Sequence, residues 1–487
     1  MEKGFRIGWT VLLGVAVFAF WMWLYPQALN YQEQNQLFLF TWAYLGGRLA
    51  LPGGLADWLS EFLVQFFYWQ WAGAAIMALL SILLQQGVWK SAKSAGVKGK
   101  RSAYTLSFIP SLLLLIYMGD VEVLVSFPVA LLLSVWLCPL FLKAGWHRLW
   151  LIPLGWWLVG PVIVVPVLVS AIQGHKWADL LMVAYTLLTA FAFYRLLTPQ
   201  YPARDAFFGL NYYRLVESLP LLQVVIPAAT LLCILVCGLD FRFRHQIMAG
   251  TLTTLVLAAG TFFGVRATYD KDTHETLAYD WLIRQEQYQK VLERAQKYQP
   301  HNPVSACSVN FCLFTQGQLE SRLTDFYQCG TGGLVLPSIR DNLSDITSAE
   351  LLWMMGMPNI TLQYCFDLQE SIQNGRKSGR FMSRIAECNI VNGWYSRAGK
   401  YLDMLEHSLC YRRWAREKKD LIRSEDQVAR DPVYAYIRSV RFKDDFITAY
   451  DGLDLMMAVL VNQNPKNFMA ADYYAAWQRL KEMEGAE

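Results

Sequence analysis

The sequence predicts an all-α protein in two parts: a polytopic transmembrane helical bundle of about eight spans, then a soluble α-helical repeat domain. The first observation is compositional. Of 487 residues 55% are hydrophobic and 17% charged, against roughly a quarter charged in ordinary soluble domains. The second is the distribution of that charge: residues 1–270 carry 17 Lys/Arg and 11 Asp/Glu, whereas 271–487 carry 26 and 28. The third is the scarcity of strand-like alternation beyond residue 275. Residues 1–270 therefore read as membrane and 271–487 as water-soluble, which excludes a single globular enzyme, a fibrous protein and a disordered one. The net charge of +4 combines +6 in the first part with −2 in the second, so no basic domain exists and no nucleic-acid partner is expected.

The first apolar stretch runs from Gly8 to Tyr25 behind Lys3 and Arg6, and ends in Trp21, Trp23 and Tyr25. Terminal aromatics suit a membrane interface, so it reads as a retained span rather than a cleaved signal. Further candidate spans are Val64 to Trp89, Tyr104 to Met118, Val121 to Leu142, Leu149 to Ile172, Leu180 to Leu197, Leu219 to Gly238 and Ala249 to Val265. The basic cluster Lys90, Lys93, Lys98, Lys100, Arg101 belongs in the cytoplasm, and with it the N-terminus. By parity residues 26–63 and the turn Asp120/Glu122 lie outside, and Lys143/Arg148 inside. Beyond that point Arg204 and Arg214 compete with Arg242 and Arg244. Pro153, Pro161 and Pro166 make Leu149 to Ile172 either one kinked helix, leaving the C-terminal domain cytoplasmic, or two short re-entrant pieces, leaving it extracytoplasmic. The placement expected is a bacterial cytoplasmic (inner) membrane.

None of the acidic residues sits at the centre of a span, and no broken-helix pair repeats, so a coupled transporter lacks its signature. The loop 26–63 is too apolar for disorder. After Pro52-Gly53-Gly54, Leu55, Trp58, Leu59, Phe62 and Leu63 recur at helical spacing, with Asp57 and Glu61 on the opposite face. This pattern predicts two amphipathic helices lying on the outer membrane surface, their acidic residues toward water.

A first span, a long acidic loop with surface helices, many spans and a soluble tail resemble the C-fold glycosyltransferases that take sugars from polyprenyl phosphates. The resemblance implies a carboxylate in the first outer loop that binds a metal or accepts the acceptor proton, which falls on Glu33 with Asp57 behind it. It implies Asp120, Glu122 and Arg48 as substrate contacts, with Arg48 countering the leaving phosphate. Glu33 sits in Tyr31-Gln32-Glu33-Gln34, which departs from that family's Asp-containing loop.

In the soluble part, Gln287 to Ala295, Gly317 to Leu323 and Gly393 to Ala398 resemble one another, and Tyr288 and Leu319 stand 31 residues apart. Asn302-Pro303 and Asn464-Pro465 provide recurring helix starts, the second expected to open a helix from Pro465 to Met483. Together these resemble a degenerate tetratricopeptide array, implying a face for a protein or peptide partner. Trp394, Tyr395 and Tyr401 are expected in its core. The run Arg412, Arg413, Arg416, Lys418, Lys419 reads as a solvated face, because Glu417 and Asp420 interrupt it.

The order of parts also resembles an uncharacterised bacterial family of multi-pass membrane proteins with a helical tail. That likeness is carried by Pro52-Gly53-Gly54-Leu55 through Phe62-Leu63-Val64-Gln65-Phe66-Phe67, by Tyr411-Arg412-Arg413-Trp414-Ala415 and by Arg441-Phe442-Lys443-Asp444-Asp445-Phe446. It implies no activity.

Nine cysteines form no metal site by spacing, and neither a phosphate loop nor a nucleophile elbow is present. No cofactor is identified. Two readings remain: a glycosyltransferase-like protein acting on lipid-linked sugars in cell-envelope glycan assembly, or a non-enzymatic scaffold whose repeats hold an envelope protein.

Overall fold

A computed structural model describes residues 2–96, 101–174, 177–215, 218–237, 246–336, 342–372, 374–442 and 453–484. Lys98, Lys100, Arg242, Arg244 and the stretch 443–446 lie outside them. The described chain is all-α, and an isolated bridge, Val123 with Tyr213, is the extent of its β-pairing. It divides into two compact units: residues 1–33 with 40–270, and residues 34–39 with 271–487.

Among its described residues the first unit contains five helical segments long and apolar enough to cross a membrane, Gly4–Leu24, Gln70–Ser94, Ser126–Lys143, Asp179–Leu197 and Thr251–Thr268, and shorter apolar ones between them. In chain order its helices are α1 (Glu2–Ala19), α2 (Pro26–Gln34), α3 (Trp42–Leu49), α4 (Gly54–Val64), α5 (Gln70–Ser94), α6 (Arg101–Leu106) and α7 (Ile109–Tyr117). They continue as α8 (Ser126–Lys143), α9 (Arg148–Val159), α10 (Val164–Gly174), α11 (Trp177–Leu197), α12 (Ala203–Phe208), α13 (Leu221–Val236) and α14 (Gln246–Thr268).

The stretch Leu149 to Ile172 is two helices, not one kinked helix. It breaks at Gly160, whose φ of 87° is open to glycine and strained for other residues. Pro161 follows, and a 3-10 turn leads into α10. Val121 to Leu142 is also shorter as a helix than its apolar run, because residues 118–125 are spent on a turn and the bridge to Tyr213.

The second unit is built of helical hairpins. Its helices are α15 (Lys271–Arg284), α16 (Tyr288–Lys297), α17 (Pro303–Thr315), α18 (Leu319–Arg322), α19 (Asn342–Met354), α20 (Pro358–Ser371) and α21 (Gly379–Val391). After these come α22 (Tyr395–Glu406), α23 (Arg412–Leu421), α24 (Glu425–Arg430), α25 (Pro432–Val440), α26 (Leu453–Gln463) and α27 (Phe468–Glu484). One turn recurs between partners. A residue with positive φ, Glu286, Gly317, Gly356 or Gly393, is followed by an amide that reaches back five residues: Gln287 to Leu282, Gln318 to Leu313, Met357 to Leu352 and Trp394 to Asn389. This helix-ending turn satisfies carbonyls that would otherwise be orphaned. What repeats is the turn, at uneven spacing.

Two details differ from the sequence reading. Trp394 is exposed, and Tyr395 and Tyr401 are half-buried; the hairpin instead buries Ala398, Leu402 and Leu405, because Trp394 falls in the turn before α22. The last helix starts at Phe468 rather than Pro465. Asn467 caps it by accepting from the Ala470 amide, and Asn464-Pro465 is the preceding turn.

Candidate functional site

The charged residues singled out in the first loop do not face water. Helix α4 packs between α8 and α9 and turns its polar side inward: Asp57, Ser60 and Glu61 are 1%, 0% and 0% exposed. Trp58, Leu59, Phe62 and Leu63 keep part of their surface outside. The amphipathic pattern is correct, and its orientation is the reverse of a surface helix. Carboxylates removed from water by packing must find protein partners.

Those partners come from α3, whose first turn is capped by Thr41 accepting from the Tyr44 amide. One helical turn apart, Tyr44 and Arg48 project together. The Arg48 Nε donates to Glu61 Oε2 at 2.8 Å and lies 3.8 Å from Asp57 Oδ2. Tyr44 donates to the same Glu61 oxygen, and its ring lies under the Arg48 guanidinium at 4.9 Å. Asn211, from the segment after α12, completes the group by donating to Asp57 Oδ2 at 3.1 Å. The turn between α3 and α4 is held against α9. Gly53 donates to the Trp157 carbonyl at 2.8 Å, and Trp157 Nε1 donates to the Leu49 carbonyl at 2.7 Å. A Cβ on Gly54 would sit 2.2 Å from the Arg48 carbonyl oxygen, so a glycine is required there.

A second polar group lies two residues along. Arg214 donates to Gln32 Oε1 at 3.1 Å, covers the Tyr31 ring at 4.9 Å and stands 3.9 Å from Glu122. Tyr213 donates to Asp120 Oδ2 at 2.8 Å, and Gln32 donates to the carbonyls of Val121 and Val123. Thus Asp57 and Arg48 share one cluster, Asp120 and Glu122 share the other, and the segment Asn211–Arg214 threads both. Glu33 is buried, 4% exposed, beside Gln32. Glu61, Tyr44, Asn211 and Gln32 were missed as site residues. For Glu61 the signal was present, four residues after Asp57 on the same face; for Asn211, 154 residues away, there was none.

An apolar cavity of about 410 Å3 adjoins these clusters. It lies between α10, α11, α12 and α13, with Phe127 and Trp156 as part of its wall. The Phe127 ring meets the Tyr212 ring edge-on at 5.3 Å, and Tyr212 is the neighbour of Asn211.

The second unit has its own buried charge network, which the sequence did not single out. From α21, Arg380 donates to both Asp280 oxygens at 2.9 Å, to Glu350 at 3.2 Å and to Gln34 Oε1 at 2.7 Å. Arg384 pairs with Glu350 at 2.5 Å and Glu387 at 2.7 Å, over the Trp353 ring. Burial alone would raise the pKa of Glu350, but Arg384 and Arg380 outweigh it and hold it down to about 2. At Glu387 burial prevails over Arg384 and Lys418, and the pKa is raised. Gln34, the last residue of α2, opens a strap, Gln34–Leu39, that is part of this unit. The Leu37 amide donates to the Lys377 carbonyl at 2.7 Å, and Leu37 packs with Met382, Leu402 and Tyr411. The basic run on α23 is ion-paired at the surface, Arg413 with Glu417 and Arg416 and Lys419 with Glu406. The cysteines are free thiols, and burial pushes Cys307 and Cys365 up to about 12, which makes them poor nucleophiles.

No curated protein and no solved structure matches the chain. A family model does, over residues 3–482, and by that match the chain belongs to a family of unknown function, DUF6057.

Proposed function

We propose that this is a multi-pass protein of a bacterial inner membrane that holds its helical-hairpin unit on the outer side, as a scaffold for an envelope protein or peptide. The observation that carries the outer placement is the strap. Residues 34–39 lie between the first span and the rest of the first loop, yet they belong to the same compact unit as residues 271–487. A loop segment and a domain that form one unit share one side of a membrane. With the N-terminus inside, as Lys3, Arg6, Lys90 and Lys93 favour, that side is outside.

The order of helices gives independent support. One end of the first unit gathers Gln173 against Ala95 and Cys237 against Ala103. The opposite end gathers Gln32 against Val121, Tyr212 against Val159, Gln223 against Phe208 and Thr268 against Ile116. Between these ends run α1, α5, α6 with α7, α8, α9, α10, α11, α13 and α14, an odd number of passages once the chain breaks at Gly160. Asp57, Glu61 and Arg48 satisfy one another internally, an arrangement suited to fixing α3 and α4 inside the bundle. The test is a pair of reporter fusions, after Lys93 and after Glu487. A phosphatase active only outside the cytoplasm is expected to be active after Glu487 and silent after Lys93; activity in the reverse pattern rejects the reading.

The transferase reading is favoured by one observation, the shared side of first loop and helical unit, which would put an acceptor and a lipid-linked sugar within reach of both. In that reading Glu33 is the base, with Asp57 behind it, and Arg48, Asp120 and Glu122 contact substrate. Glu33→Gln and Asp57→Asn, at unchanged protein level, should abolish transfer of a sugar from a polyprenyl phosphate. Transfer that persists in both removes those roles.

A further inference from the structure

The cavity between α10, α11, α12 and α13 is lined by two residues with hydrogen-bonding side chains, Gln223 and Thr186, besides the indole of Trp156. Both of the former are already engaged. Gln223 Nε2 donates to the Phe208 carbonyl at 2.9 Å while its Oε1 accepts from Tyr117 at 3.1 Å, and Thr186 donates to the Met182 carbonyl at 2.8 Å. The interior therefore presents Val162, Val165, Leu168, Ala190, Phe207 and Leu231 and little that could hold water.

The opening has a direction. Leu187 and Val224 line the cavity and are also 65% and 40% exposed on the outside of α11 and α13, next to Leu188 and Leu221 on the same apolar surface. Prolines account for the space: Pro161 follows the break at Gly160, and Pro227 sits inside α13, where it removes a backbone hydrogen bond and bends the helix. A void with an apolar lining, continuous with a face that contacts hydrocarbon, fills with hydrocarbon. Its volume lies in the range of about 300–1,000 Å3 typical of ligand sites, enough for one chain and too small for a whole diacyl lipid.

We propose that this cavity is a binding site for a single acyl chain of a membrane phospholipid, entering sideways between α11 and α13. The proposal rests on the membrane reading above, and it does not depend on which side the helical unit occupies.

The experiment is native mass spectrometry of the full-length protein released from mild detergent, with extracted lipids identified. The variants are Ala190→Trp and the milder Ala190→Leu, which fill the cavity from a position 3% exposed, and Leu188→Trp, on the outer surface of the same helix. The wild type and Leu188→Trp are expected to retain one phospholipid per chain, and both Ala190 variants to lose it in graded fashion. Equal retention in all four proteins overturns the site. Loss of a polyprenyl lipid instead of a phospholipid overturns the acyl-chain assignment. The outcome is separate from the fusion test, since reversed fusions would leave the lipid count unchanged.

Discussion

The buried ion network around Arg48 in the first unit and the one around Arg380 and Arg384 in the second are built on different charge balances. In the first unit one arginine faces two carboxylates, with Tyr44 and Asn211 supplying the remaining hydrogen bonds. In the second, Arg380 and Arg384 meet Asp280, Glu350 and Glu387, and Glu350 keeps 27% of its side-chain surface exposed. Helix α4 hides its acids and leaves apolar residues outside. Helix α23 hides Ala415 and leaves Arg413 and Arg416 outside. An amphipathic period thus tells which residues share a face, and the surrounding medium decides which face turns in.

The largest effect is expected at Arg48. Arg48→Met leaves Asp57 and Glu61 without their countercharge, and removal of one partner from a buried pair costs about 3–5 kcal/mol. The expected outcome is loss of monodisperse protein after detergent extraction; wild-type thermal stability would deny the cluster its role. Arg380→Met should destabilise the second unit by a similar or smaller amount, about 3 kcal/mol, and should also release the strap, read as faster proteolysis near Leu37.

Gly54→Ala places a methyl group against the Arg48 carbonyl. Overpacking of this kind costs roughly 1–3 kcal/mol, visible as a lowered Tm, and an unchanged Tm would mean that α3 and α4 are not in close contact. Smaller again is the pH effect at Glu350. Its pKa in the folded protein is about 2, below the ordinary 4.5. The stability it contributes is therefore complete above pH 4.5 and fades as pH falls from there toward 2. After discounting for partial exposure this is roughly 2 kcal/mol, and Glu350→Gln should flatten the acid limb of the stability profile. Glu387, whose pKa is raised, has the opposite slope, its ionisation costing stability as pH rises above the ordinary value. Glu387→Gln should accordingly lose less at neutral pH than Glu350→Gln; an equal or greater loss contradicts the assignment.

Much of this architecture was legible in the sequence. Apolar length marks the helices that can cross a membrane, and charge density separates the two units near residue 270. The pairing of Asp57 with Glu61 on one face also follows from spacing alone. What spacing could not supply was the orientation of that face, because a helix of this composition suits either a membrane surface or a bundle interior. Asn211 and Gln32 were equally hidden, being ordinary amides whose importance comes from chain segments brought together by folding. The strap was the least legible feature of all. Residues 34–39 read as part of the first loop, and nothing local marks them as a piece of a domain that begins more than two hundred residues later.

The strap is also the feature most directly open to measurement. Hydrogen exchange on the full-length protein in lipid nanodiscs reports it directly, through the Leu37 amide bonded to Lys377. The prediction is that a peptide covering Gln34–Leu39 exchanges as slowly as helix α21. Exchange at the rate of an exposed loop would detach the strap from the second unit and remove the ground for placing that unit outside.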